Sequence, residues 1–216
     1  MQDAVASRQQ ALAQAIERAL PNLSTRRLRW ASPLQADDFR EFRDGAFLDA
    51  VGLGSHRSAL RAFWPAGGPV WDALAVTEQG GVVLVEAKAH LSETPKRDRC
   101  KASSPRSRAL IEKSLRQVRE DLSVPDRAVP WTEANYQIAN RLAYLWWLNF
   151  ERRVPAWLVI LGFTDSPDWS DPLSPTSWAE TMSTAFASLG LPDSHGLAGQ
   201  VGVASMPATT VQPVSP

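Results

Sequence analysis

The chain has 216 residues, 44% of them apolar, which is enough to bury one substantial core in a single domain. Its 23 Lys and Arg balance 23 Asp and Glu, so the formal charge is zero; this excludes the long-range pull toward nucleic acid of a strongly basic protein, and any such contact must be local. Cys100, the one cysteine, excludes an internal disulfide, and no apolar run approaches the roughly eighteen residues of a membrane span.

Residues 4–20 place Val5, Leu12, Ile16 and Leu20 at helical spacing, and Pro21 closes this opening helix. Gln14, Glu17 and Arg18 interrupt it, so it lacks the order of a secretory signal, and a cytoplasmic setting is expected. A second helix is expected over residues 36–51, with Phe39, Phe42, Phe47 and Leu48 on its apolar side. Short apolar runs follow at 60–64, 70–76 and 82–89, separated by Gly- and Pro-rich turns, which predicts three strands. The continuous run Val82, Val83, Leu84, Val85 suits a central strand covered on both faces.

Ser104-Pro105 offers an N-cap and first-turn proline for a helix over 106–122. A strongly apolar helix is expected over 133–152, a strand over 156–163, a helix over 178–189 and a last strand near 201–204. The order predicts an α/β domain with a central mixed sheet of four to five strands flanked by helices. Its expected limits are residues 1–206, with 1–35 as an N-terminal helical extension, 36–206 as core and 207–216 as a loose tail.

Chemistry concentrates at Asp72 and at Glu86-Ala87-Lys88, two strand segments joined through a glycine turn. Pairing of those strands brings Asp72 beside Glu86, and strand alternation puts Glu86 and Lys88 on one face. Neighbouring carboxylates raise each other's pKa unless a cation lies between them. A magnesium or manganese ion held by Asp72, Glu86 and the Ala87 carbonyl answers that need, with Lys88 left to stabilise developing negative charge.

Pro69-Val70-Trp71-Asp72, followed by Val83-Leu84-Val85-Glu86-Ala87-Lys88, resembles the paired motif of the PD-(D/E)XK nuclease superfamily. The resemblance covers about residues 39–163. It implies a restriction-endonuclease-like core and Mg2+-dependent hydrolysis of phosphodiester bonds, with nucleic acid, foremost DNA, as partner. Members often carry an acid on a helix before the strands, and Glu41 takes that position, with Asp44 second; Gln137 matches a glutamine that RecB-like members carry on a later helix. Trp71 stands where a proline usually precedes the first Asp, and Arg141 where a tyrosine follows the glutamine by four residues.

A second reading keeps the fold as a catalytically silent nucleic-acid or protein-binding module, and a homodimer is compatible with either. Nine Lys and Arg lie between Lys96 and Arg119 against Asp98 and Glu112, a stretch suited to phosphate contacts or to a solvated face. His90 follows Lys88 by two residues, within reach of a scissile group or simply exposed. Nine tryptophans are read as core payload first and base-stacking surfaces second.

Overall fold

The computed structural model describes residues 1–25, 27–93 and 98–209. One sheet runs in the order β1 (Arg29–Ser32), β2 (Ala73–Val76), β3 (Val82–Lys88), β4 (Ala156–Thr164) and β5 (Val201–Pro207). The β1–β2 and β2–β3 pairs are antiparallel, whereas β3–β4 and β4–β5 are parallel. The protein is therefore α/β, with a central mixed sheet of five strands flanked by helices.

Both sheet faces are covered, which explains why the central strands read as unbroken apolar runs. Along β3, Val83 and Val85 point to one face, where Leu12 and Ile16 of α2 (Gln9–Ala19), preceded by the short α1 (Gln2–Ala6), complete a core with Val159 and Leu161. Val82 and Leu84 point to the other, larger core, built with α3 (Asp44–Ala50), α4 (Arg57–Phe63), α5 (Pro105–Asp121), α6 (Tyr136–Trp146) and α7 (Pro175–Ser188). Ser104 caps α5 by accepting from the Ser107 N–H, and Ser174 with Ser177 forms a capping box on α7. No helix among the described residues is long and apolar enough to cross a membrane.

Several elements differ from the sequence expectations. Residues 1–35, expected as a helical extension, also supply strand β1, and their helices form a layer of the core. The run at 60–64 is not a strand: Leu60, Phe63 and Trp64 are buried while Arg57, Ser58, Arg61 and Ala62 are exposed, the signature of one helical face. The helix expected from residue 36 begins only at Asp44. Asp38 and Phe39 adopt left-handed backbone, and Phe42 bridges Trp71 instead of entering a helix. After α6 the chain continues as a π-helical turn, Trp147–Glu151. The expected loose tail begins with Pro207 inside β5 and Ala208 bonded to the Thr164 carbonyl, and residues 210–216 lie outside the described residues.

One glycine shapes the wall above β4. A Cβ on Gly162, which pairs with Lys88, would lie 2.8 Å from both Trp178 and Leu173. Its absence lets the Trp178 ring close against the strand while Nε1 donates to the Ala204 carbonyl at 2.9 Å.

Candidate active site

The β2–β3 register settles the placement of the two acids. Ala73 pairs with Val85 and Leu74 with Leu84, so Asp72, one residue before β2, falls opposite Glu86. Asp72 shares the parity of Leu74, and Glu86 and Lys88 share that of Leu84; both leucines belong to the larger core. The Ala87 N–H donates to Asp72 Oδ2 at 2.6 Å, tying the first acid to the middle residue of the Glu-Ala-Lys triplet.

Trp71 anchors this end of the sheet. Its ring is fully buried and packs edge-on against Phe47 and Tyr144, and its backbone N–H donates to the Phe42 carbonyl at 3.0 Å. That bridge also carries Glu41, the residue before Phe42, toward the two acids. Glu41 lies in extended chain before α3 and not on a core helix, a correction to its expected setting. Burial first, and the Glu86 charge after it, push its carboxyl above the ordinary value. Asp44, the second choice, serves elsewhere: its oxygens accept from the N–H groups of Gly67 and Gly68 and hold that turn.

Glu86 is buried and bears two cations. Lys88 Nζ donates to Oε1 at 2.6 Å, while Arg141 Nε and Nη2 donate to Oε2 at 2.9 and 2.6 Å. Arg141 is itself held on every side, by the Asn140 side chain, by the Val70 carbonyl and by the face of Trp71 at 5.5 Å. Burial and the Glu86 charge raise Asp72 to about 6, against a partial opposing effect of the Ala87 N–H and Lys88. In chemical terms, Glu86 is neutralised by two contacting cations, while Asp72 is answered by the Ala87 N–H and by the charge of Lys88 without an ion-pair contact.

Gln137 and Arg141 lie one turn apart on α6 and line the same pocket of about 130 Å³ as Glu86, Lys88, Asp98 and Trp178. Asp72 is not part of its wall. Asp98, in a polar stretch without periodicity, holds the start of α6: it accepts from the Gln137 N–H at 2.6 Å, while Asn135 at the cap position makes no side-chain capping bond. Its carboxyl is shifted upward, chiefly by burial.

The basic stretch is only partly turned to solvent-facing charge. Arg108 pairs with Glu112 and Glu133, Arg99 with Glu133, and Arg119 donates to the Pro125 and Ala128 carbonyls. Lys96 and Arg97 lie outside the described residues. His90 Nδ1 is engaged by Ser92, and its ring stacks on Trp169. Cys100 is buried beside Tyr136 as a packing residue.

Among the described residues no group of three or more His, Cys, Asp or Glu side chains is placed to hold a metal ion. What the site offers is a two-carboxylate set, Asp72 and Glu86, with the Ala87 carbonyl. Those donors are hard oxygens, and magnesium characteristically takes one or two carboxylates and fills its other positions with water and phosphate. The donor set therefore fits in type, with Glu86 shared between the ion and its two cationic partners. Comparison with family models, with curated proteins and with solved structures finds no match to this chain, so residues and geometry alone carry the functional reading.

Proposed function

We propose that this protein is a divalent-metal-dependent nuclease that hydrolyses phosphodiester bonds, foremost in DNA. The observation that carries the reading is the tie of Asp72 to the Glu86-Ala87-Lys88 strand through the Ala87 N–H, with Lys88 on the Glu86 face and the Asp72 carboxyl raised by burial and by Glu86. The resemblance to PD-(D/E)XK nucleases supports the same assignment. Asp72, Glu86 and the Ala87 carbonyl are the residues that would hold magnesium or manganese. Such an ion, when bound, activates water and polarises a phosphoryl oxygen.

The chain's own groups have separable tasks. Lys88 offers an ammonium group to the negative charge that grows on the phosphoryl oxygens. Arg141 fixes the orientation of Glu86 from α6, and Trp71 fixes the backbone that presents Asp72. Glu41 adds negative potential at the rim, and Gln137 lines the pocket beside Lys88, placed to contact the substrate.

Purified protein with Mn2+ or Mg2+ is expected to cleave a labelled DNA, and Lys88→Ala to reduce the rate by about a hundredfold or more. Circular dichroism should show an unchanged fold, since Arg141 still holds Glu86 through two bonds when Lys88 is removed. Equal cleavage by the variant and the parent would reject the site assignment.

One observation favours a second reading, the silent binding module: both oxygens of Glu86 are already satisfied by Lys88 and Arg141. Under that reading the charges form a closed structural network. Wild-type protein would then bind nucleic acid without cleaving it in any divalent ion.

A further inference from the structure

Trp169 stands apart from most of the tryptophans. Trp64, Trp71, Trp131, Trp146, Trp147 and Trp178 are each no more than 2% exposed, whereas Trp169 is 40% exposed. Its ring lies 4.1 Å from that of His90 at an interplanar angle of 16°, a near-parallel stack. The His90 ring is held at its edge, where Nδ1 accepts from the Ser92 N–H at 3.1 Å and meets Ser92 Oγ at 2.7 Å.

Position adds meaning to this pair. His90 follows Lys88 by two residues, a chain distance of at most about 7 Å. Trp169 lies in the loop after β4, which is drawn back on itself by the Asp165 N–H to Leu173 carbonyl bond at 3.0 Å. Both aromatics thus lie just beyond the carboxyl ends of the parallel strands β3 and β4, the edge at which ligands bind in open α/β sheets. An exposed, pre-stacked aromatic face beside a phosphate-directed lysine matches how proteins hold single strands, with backbone charge on one group and a base on a ring.

We infer that the His90–Trp169 pair is a stacking platform for an unpaired nucleobase next to the scissile phosphate, so that the substrate is a single-stranded or frayed nucleic acid. The inference rests on the nuclease reading and narrows its substrate. A duplex keeps its base faces inside its own stack and has none to offer, whereas every unpaired base presents one.

Fluorescence anisotropy with labelled oligothymidylate and with a blunt duplex of equal length, both in EDTA, tests the platform without cleavage. Trp169→Ala is expected to weaken single-strand binding by about tenfold, Trp169→Phe to retain most of it, and His90→Ala to fall between. Duplex binding should change less than twofold in all three. Thermal melting should match the parent, because Trp169 is exposed. Unchanged single-strand affinity in Trp169→Ala, no binding of the oligothymidylate by the parent, or a parent that prefers duplex overturns the inference. If Lys88-dependent cleavage persists while Trp169→Ala binds normally, the platform alone falls. If Trp169-dependent binding appears without metal-dependent cleavage, the nuclease reading falls and the surface remains a single-strand binding module.

Discussion

Replacing Asp72 with Asn should abolish metal-dependent cleavage, by about a thousandfold or more, and at the same time stabilise the metal-free protein at neutral pH. The two effects share one cause. Asp72 is a largely buried carboxylate raised from 3.8 to about 6 by burial and by Glu86, so its ionised form is disfavoured in the fold. Between those two values the folded chain binds more protons than the unfolded chain, and stability therefore falls as pH rises. The penalty is absent below about pH 4 and complete above about pH 6, where it reaches at most about 3 kcal/mol. Asn keeps an oxygen for the Ala87 N–H and carries no charge, so it escapes the penalty. Urea unfolding in EDTA at pH 4.5 and pH 7 should show the variant gaining on the parent at the higher pH. Glu41 and Asp98 are shifted in the same direction, and the difference between parent and variant leaves Asp72 together with its coupling to Glu41. A variant less stable than the parent at pH 7 would mean that Asp72 serves the fold and not the chemistry.

Arg141→Met should be among the most destabilising single changes at the site. It leaves Glu86 buried with Lys88 as its remaining cation, and it removes the bond to the Val70 carbonyl and the contact over Trp71. Breaking one side of a buried pair costs about 3–5 kcal/mol, which lowers the melting temperature by on the order of 10 °C in a chain of this size. The double variant Glu86→Gln, Arg141→Met should recover part of that loss, because it removes the Glu86 charge that Arg141 no longer balances while the bond to Val70 and the contact over Trp71 stay lost. Scanning calorimetry of the two single variants and the double variant supplies the full cycle. A loss below about 1 kcal/mol in Arg141→Met would show that solvent reaches Glu86 freely.

The acid pair and its lysine were legible in the sequence because strand alternation and a tight glycine turn restrict where such residues can go. Once β2 and β3 pair through that turn, its short length fixes the register, and Asp72 falls one step beyond the Ala73–Val85 pair, beside Glu86. Other parts were hidden for physical reasons. Strand β1 is four residues, Arg-Trp-Ala-Ser, too short for any period to emerge. Leu60, Phe63 and Trp64 form an apolar cluster short enough to read as strand or helix, and only their one-sided burial decides it. Glu41 was assigned to a helix by apolar spacing that takes no account of the left-handed turn at Asp38 and Phe39. Arg141 was visible only as a departure from an expected tyrosine. Its partnership with Glu86 spans 55 residues and depends on the packing of α6 over β3, which no local pattern encodes. Asp98 sits in a polar stretch without periodicity, and its capping of α6 is a tertiary contact of the same kind.

The placement of a cation between Asp72 and Glu86 is what everything else presupposes. Isothermal titration of Mn2+ into wild-type protein and into Asp72→Asn, with and without a phosphorothioate single strand, measures it directly. Saturable binding of a single ion by the wild type, strengthened by the strand and lost in the variant, is the predicted result. No heat of binding in the wild type under either condition, or equal binding by both proteins, would contradict it.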